Sequence, residues 1–241
     1  MKTTWHVGRV EKIETITEAL KMFYIRIDSD EPFDFKSGQF VTLDLPVSEK
    51  RQQRWKSYSI ANNSNEDNIV ELCLSLYPDG LGSRYLFEEV TVGTEIKLKG
   101  PDGGFVLPEV LDKELIFLCT GTGVVPFRSM IQNVFQNHIP FKKIHLIYGT
   151  KTERDILFLE EFEKYAQQSP DFKFDICLSK AHHPKHHHGR IHEVYLDKYK
   201  EYDEDRVFYL CGWSQMIDEA VLHLFKELGY LRSQIVYELY G

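Results

Sequence analysis

Two glycine-bearing stretches have the residue types to hold an anion. In CTGTGVVP, Cys119 to Pro126, an apolar run gives way to an amphipathic one across two spaced glycines. Gly121 and Gly123 let the backbone turn sharply and come close to a ligand. Pro126 is tolerated in a helix's first turn, where its missing N–H costs nothing. The free N–H groups and the dipole at such a helix start attract an anion such as a pyrophosphate. One G-x-G alone also fits a plain tight turn. DGLGSRYL, Asp79 to Leu86, again joins a strand to a helix. Ser83 can donate a hydroxyl there, and the backbone of Gly82 and Ser83 can line an anion. Glycine-rich hairpins look the same. A third stretch, KSYSIAN, runs from residue 56 to 62 after the basic run KRQQRWK begins. A cation, Lys56, then an aromatic, Tyr58, between two hydroxyls, Ser57 and Ser59, suits a flat, negatively charged ligand.

The elements around these stretches fall into two kinds. HVGRVEKI, MFYIRID, QFVTLDL, KSYSIA, IVELCLSLY and TEIKLKG are short alternating or β-rich runs separated by turn residues. They predict a small antiparallel barrel, with SRYLFEEV as one helical insert. The character changes at PEVLDKE, residues 108 to 114. The strands ELIFLCT, KIHLIYG, FKFDICLS and RVFYLCG then alternate with the helical runs VVPFRSMIQNVFQ, ILFLEEFEKYAQ and MIDEAVLHLFKELG. In the first helix Val124, Phe127, Ile131 and Val134 form one stripe. This is the rhythm of a doubly wound parallel sheet. The boundary is placed near Pro108, giving domains 1–108 and 109–241 with two unlike binding sites.

Composition sets limits. The chain has 241 residues, which suits two modest domains. A net charge of -8 argues against a general nucleic-acid binder, though not against nucleotides. No apolar run approaches the ~20 residues of a membrane helix. The start, MKTTWHVGRVEKIE, lacks the apolar core of a secretory signal, so a cytoplasmic protein is expected. Cys73, Cys119, Cys177 and Cys211 lie far apart in apolar segments, without C-x-x-C spacing. Reduced thiols are expected, and zinc or iron–sulfur ligation is not. HHPKHHH, residues 182 to 188, has imidazoles that can take up metals, but it offers no cysteine and no carboxylate run; no metal site is expected. The absence of G-x-S-x-G leaves no signal for a serine hydrolase.

Six stretches in order carry a resemblance over nearly the whole chain: K-S-Y-S, G-L-G-S, T-G-T-G-V-V-P, Y-G-T (148–150), L-C-G-W-S-Q-M (210–216) and E-L-Y-G (238–241). Together they resemble the ferredoxin–NADP reductase superfamily of flavoproteins. The resemblance implies a Greek-key flavin barrel followed by an NAD(P)-binding α/β sheet. It makes the flat anion a flavin, FAD rather than FMN. Tyr58 would lie against the isoalloxazine ring and Ser59 near its N5, with Ser57 in the same strand. Lys56 stands where the family usually has arginine; it keeps the charge and loses the bidentate fork. Arg54 is the alternative phosphate contact. Gly82 and Ser83 would line phosphate as well.

The resemblance also implies that Gly121, Thr122 and Gly123, with Pro126 behind them, meet the nicotinamide dinucleotide's pyrophosphate. Cys211 and Gly212 would lie beside the nicotinamide, with Trp213 where proline is usual. Glu238 and Tyr240 match the acid and aromatic that end plant-type members, the aromatic covering the flavin face; Gly241 is one residue extra. Lys151, Lys180 and Arg190 are candidates for a 2′-phosphate, which favours NADPH over NADH, although T-E-R-D-I-L (152–157) resembles NADH-using relatives. Ser59, Cys211, Glu238 and Tyr240 would surround hydride transfer, which the cofactors perform. Electrons would leave singly to a separate acidic carrier, ferredoxin or flavodoxin, docked by Lys50, Arg51, Arg54 and Lys56. Two rivals stand beside this reading. One is an NAD(P)H reductase of free flavin, quinone or a haem protein. The other is a non-catalytic nucleotide-binding regulatory module.

Overall fold

Alternation builds the first sheet. In β1 (Trp5–Thr17) the side chain of Val10 is buried while Arg9 and Glu11 are exposed. The same pattern runs through most of β2 (Leu20–Ile27) and through β6 (Glu95–Asp102), while β3 (Phe40–Asp44), β4 (Trp55–Ser59) and β5 (Ile69–Ser75) alternate less cleanly, with Val41 to Leu43 and Leu72 to Leu74 buried throughout. This computed structural model describes residues 4–29, 31–64 and 67–240. The six strands pair in the order β4-β3-β6-β1-β2-β5, and every pairing is antiparallel. Their inward side chains, among them Phe23, Ile25, Val41, Leu43, Leu72 and Leu98, share one core.

The two ends of this sheet meet. Past β4, the Ala61 N–H donates to the Glu71 carbonyl at 2.8 Å. The Asn62 amide donates to the Ile69 carbonyl and accepts the Glu71 N–H, both at 2.9 Å. The result is a closed barrel rather than an open sheet with two raw edges. A single exposed turn, α1 (Arg51–Arg54), leads into β4, and α2 (Leu81–Glu88) sends Leu86 into the barrel core.

The second sheet is apolar almost throughout its strands. Leu115 to Cys119 of β7 (Leu111–Thr120) are all buried, as expected of parallel strands covered on both faces. It continues through α3 (Val125–Gln136), β8 (Phe141–Thr150), α4 (Leu159–Gln168), β9 (Phe172–Leu178), the two-residue β10 (His187–His188), α5 (Ile191–Lys198), β11 (Arg206–Trp213), α6 (Ser214–Leu222) and β12 (Ile235–Tyr240). The strands are parallel in the order β10-β9-β8-β7-β11-β12. On one face Ile191 and Tyr195 of α5 and Met216 and Ile217 of α6 pack on Leu118, Phe208 and Leu210. On the other, Phe162 of α4 meets Phe174 at 5.1 Å, and Phe135 stacks on Tyr165 at 4.4 Å.

The chain winds one way from β7 to β8 and β9, then returns to the other side for β11 and β12. The reversal falls between β7 and β11, whose following loops leave in opposite directions. In such sheets that point leaves a crevice at the carboxyl ends of the strands. The chain divides into two compact units, one Met1–Val106 with Val125–Asn133, the other Leu107–Val124 with Val134–Gly241. No helix among the described residues is long and apolar enough to cross a membrane.

Two details escape periodicity. Helix α5 hides because a histidine occupies its buried face: His192 reaches the Tyr195 hydroxyl at 2.8 Å and Glu219 at 2.9 Å. The run predicted as one helix after Met216 widens into a π-helical turn at His223–Glu227, where the Leu228 N–H donates to the His223 carbonyl.

The second core ends on a buried hydroxyl. The Tyr230 hydroxyl lies 3.0 Å from the Tyr199 carbonyl and 2.9 Å from the Glu201 carbonyl, and accepts from Arg206 at 3.0 Å. Tyr230→Phe keeps the ring and strips these partners, so it should destabilise the protein by about 1–3 kcal/mol. Guanidinium unfolding of the two proteins measures the difference.

Candidate functional site

In the second unit the site begins where β7 stops. Gly121–Val124 coil as a 3-10 turn that feeds α3. Gly121 has φ +55, and nothing lies within 4 Å of where its Cβ would stand, so the turn's outer side is open. Gly123 is the opposite case. A Cβ there would come within 2.2 Å of the Cys211 carbonyl oxygen, so only glycine lets the turn pass the end of β11. Thr122 between them is half-buried, and Pro126 is buried in the first turn of α3. At Gly212, φ is +145 and an added Cβ would meet the Thr120 hydroxyl at 2.7 Å.

Thr120 is the residue that sequence reasoning missed. Its Oγ1 is buried and has no hydrogen-bond partner among the described residues. Buried hydroxyls are nearly always bonded, so this orphan sets the end of β7 apart from the rest of the sheet. The available signal was its place as the last strand residue before G-x-G.

The β11–β12 register sets Cys211 opposite Glu238 and Trp213 opposite Tyr240. With the two-residue period of a strand, Cys211, Glu238 and Tyr240 share one face. Tyr240 hydrogen-bonds the Cys211 sulfur. Burial pushes the Cys211 thiol well above its ordinary range, and the charge of Glu238 adds to the shift. Trp213, at the N-cap of α6, is 58% exposed.

Lys151 and Lys180 stand side by side beyond the ends of β8 and β9, where the Lys180 N–H donates to the Lys151 carbonyl at 2.9 Å. Neither side chain pairs with a carboxylate among the described residues. Arg190 instead lies 3.5 Å from Glu219. In the histidine run His182 stacks on His188 at 3.6 Å and His183 on His186 at 4.5 Å. No group of three or more His, Cys, Asp or Glu among the described residues is arranged to hold a metal.

In the first unit β4 turns Lys56 and Tyr58 to one face and Ser57 and Ser59 to the other. Tyr58 packs half-buried against the barrel core, and burial raises its phenol pKa. Ser57 is exposed, 3.0 Å from the Thr42 hydroxyl, while Ser59 is buried. The stem of Lys56 crosses Gly82: a Cβ at Gly82 would lie 3.0 Å from Lys56 Cγ. Helix α2 starts there at Gly80, which offers no side-chain cap. Its first-turn N–H groups have no intrahelical acceptor.

Two expectations change in detail. The Ser83 hydroxyl is consumed inside the turn by Tyr77 and Gly80, at 3.0 and 3.1 Å, so only backbone remains to meet an anion. Arg54 forks onto Asp44 at 2.8 and 2.9 Å. Of the two cations, Lys56 alone has no ion pair among the described residues. Gly241 lies outside the described residues.

Comparison with known proteins matches each half. Residues 7–107 match the oxidoreductase FAD-binding domain family and residues 117–221 the oxidoreductase NAD-binding domain family. The chain is 32% identical to the anthranilate 1,2-dioxygenase electron transfer component of Acinetobacter baylyi, over 88% of this chain and 63% of that protein. It is 29% identical to the reductase component of propane 2-monooxygenase from Rhodococcus jostii, over 95% of this chain and 62% of that one. The chain thus spans less than two thirds of either relative. The structure of a Neisseria gonorrhoeae ferredoxin NADP+ reductase with bound FAD and NADP superposes with a TM-score of 0.82 at 24% identity, covering 98% of both chains.

The thiols yield a prediction. Cys73, Cys119, Cys177 and Cys211 are free and buried, and burial pushes Cys73 and Cys177 up to about 12. Thiolates are the reactive form, so all four should resist iodoacetamide at neutral pH in the native protein and react once it is unfolded. Mass spectrometry of the alkylated protein reads this directly. Fast labelling of Cys211 alone would show that the end of β11 opens.

Proposed function

This chain belongs to the ferredoxin–NADP reductase superfamily, and from that premise we propose that it is a flavin-dependent NAD(P)H oxidoreductase that delivers single electrons to a carrier protein. The observation that carries the reading is that each unit has its own glycine-lined strand-to-helix turn suited to phosphate.

In the first unit the Lys56 ammonium and the first-turn N–H groups of α2 would hold the phosphates of FAD. Tyr58 would wall one face of its ring, and the Ser59 hydroxyl would reach a ring nitrogen. Bound flavin supplies the change from a two-electron donor to a one-electron acceptor, which no side chain here provides.

In the second unit the N–H groups of Gly121, Thr122 and Gly123 would hold the dinucleotide's pyrophosphate, and the orphan Thr120 hydroxyl would find its partner in the ligand. Cys211 would present a neutral thiol to the nicotinamide, and Gly212 would leave room beside it. Tyr240, tethered to Cys211, would yield its place when nicotinamide enters, and Glu238 would keep a charge beside that exchange. Lys151 and Lys180 would take a 2′-phosphate, so NADPH is favoured. NAD sites of this fold place an acid near the second strand to bond the ribose. Here the nearby Asp155 is bonded to Thr152 instead, at 2.8 Å. The relatives named as electron transfer and reductase components support a protein acceptor over a small one.

A visible spectrum of the purified protein tests the core of this. It should show a flavin band that NADPH bleaches at lower concentration than NADH. A protein that stays colourless with added FAD overturns the reading. Lys56→Ala should weaken FAD binding by roughly 1.5–3 kcal/mol, the scale of a charge-assisted bond, while Lys56→Arg retains it. Flavin release on dilution distinguishes the two.

Tyr240→Ser should tighten binding of oxidised NAD(P), by up to ~1 kcal/mol, the scale of an aromatic stacking pair. Titration of the flavoprotein measures the dissociation constant, and an unchanged value would leave Tyr240 as a strand-end residue only.

A further inference from the structure

The barrel is closed at the end of β4 by more than its own strands. Residues 59–63 carry the chain from that strand toward β5. Ser59 pairs with Phe40, and the Ile60 N–H donates to the Gln39 carbonyl at 3.0 Å. The next peptide groups turn to a single helix. The Ala61 carbonyl accepts from the Arg128 guanidinium at 3.2 Å, and the Asn62 carbonyl from the Ser129 hydroxyl at 2.6 Å. The Asn63 N–H donates to the Gln132 side-chain oxygen at 3.0 Å. All of these side chains come from α3, whose residues Val125–Asn133 belong to the same compact unit as the barrel.

Arg128 also reaches a Glu71 carboxylate oxygen at 2.6 Å, and the Glu71 carbonyl accepts the Ala61 N–H at 2.8 Å. Ala61 is therefore held through its N–H by Glu71 and through its carbonyl by the arginine paired with Glu71. The pair is mostly buried, with side chains 13% and 19% exposed, and Ser129 is fully buried. A buried carbonyl that loses its donor bears the full cost of desolvation, so the strand end is strongly tied to these positions.

Packing of the helix has other residues to serve it. Phe127 meets Phe105 edge to face at 5.6 Å. Met130 is buried and lies so close to Gly38 that a Cβ there would come within 2.5 Å of the Met130 methyl. Arg128, Ser129 and Gln132 instead reach the backbone of one short segment, peptide after peptide. A segment bonded in this way cannot slide or rotate without breaking several bonds together. It begins two residues after Ser59, so the strand end that carries Ser59 takes its place from α3.

We propose that Arg128, Ser129 and Gln132 are positioning residues for the flavin, holding the end of β4 so that the Ser59 hydroxyl meets the ring nitrogen in the geometry hydride transfer needs. This assignment rests on the flavin reading above and adds the residues that set its geometry. They act through Ser59 and not by touching the ligand. A hydride donor must come within about 3–3.5 Å of the accepting atom, and a misplacement of about 1 Å can cost roughly a hundredfold in rate. Supporting residues have to hold such a group to within about 0.5 Å. A strand end released by a fraction of an ångström therefore slows the chemical step, while the turn that holds the dinucleotide keeps its own N–H groups.

The test is stopped-flow bleaching of the FAD-loaded protein by NADPH or NADH, whichever the wild type takes at lower concentration, together with the flavin absorbance band before mixing. Ser129→Ala removes one bond and adds no volume. It should lower the limiting rate about tenfold, keep the half-saturating nucleotide concentration within about twofold and shift the band. Ser129→Thr, which restores a hydroxyl, should recover much of the rate. Arg128→Lys, which keeps the charge beside Glu71, should show a smaller fall of the same kind. Tyr230→Phe, which strips bonds in the core of the second unit, should lower stability and leave the rate and the band alone. A Ser129→Ala protein that is less stable but has the wild-type rate and band overturns the proposal, as does an equal fall in Tyr230→Phe. Should Ser129→Ala not fold, an unchanged rate and band in Arg128→Lys overturn it. A wild type that binds no FAD overturns the flavin reading and this assignment with it. If FAD binds and neither nucleotide bleaches it, the redox reading falls and the band alone decides the positioning role.

Discussion

The second unit depends on one close approach. The turn after β7 runs so near the end of β11 that a Cβ on Gly123 would sit 2.2 Å from the Cys211 carbonyl oxygen. Gly212 answers from the other side, where a Cβ would sit 2.7 Å from the Thr120 hydroxyl. Two strand ends are interlocked through two missing side chains. What this unit offers a ligand is arranged around that contact: the N–H groups of the turn, the orphan hydroxyl, and Cys211 with Glu238 and Tyr240 beside it. A methyl group on Gly123 would meet backbone, which cannot swing away, and would push the turn off the strand.

The approach also fixes the chemistry of Cys211. Its sulfur is fully buried in a sheet and opposite a carboxylate. Burial and a neighbouring negative charge both disfavour the thiolate. The strand end therefore presents a neutral, polarisable sulfur, suited to lie against a ring rather than to attack one. Tyr240 is bonded to that sulfur, so the aromatic ring at the sheet edge takes its position from β11 as well as from its own strand.

Much of this was legible in the sequence, and the rest was hidden for identifiable reasons. Glycines mark backbone constraints locally, so Gly121, Gly123 and Gly82 could be read without coordinates. The apolar runs of β7, β8, β9 and β11 declared a sheet covered on both faces. Periodicity failed at α5, because a histidine, His192, lies on its buried face, bonded to Tyr195 one turn on and to Glu219 of α6. The choice between Arg54 and Lys56 was open because it depends on Asp44, which lies across the strand pair. Ser83 looked available because nothing in DGLGS shows that Tyr77 and Gly80 would consume its hydroxyl.

The two cradles differ in a way that fits ligands of different residence. The first pairs helix N–H groups with a cation, Lys56, whose stem lies in contact with the helix start. The second presents N–H groups and a hydroxyl, with its lysines displaced to the ends of β8 and β9. A cation adds Coulombic attraction to a phosphate beyond the charge-assisted hydrogen bonds that N–H groups would give in either cradle. Under the proposed function Tyr58, a half-buried ring packed on the barrel core, would be a fixed wall, and Tyr240 would have to yield its place. On the proposed reading the barrel keeps its flavin while the sheet lets a dinucleotide come and go, and the order in which charge and aromatic surface are distributed between the two is what makes one a cofactor and the other a substrate.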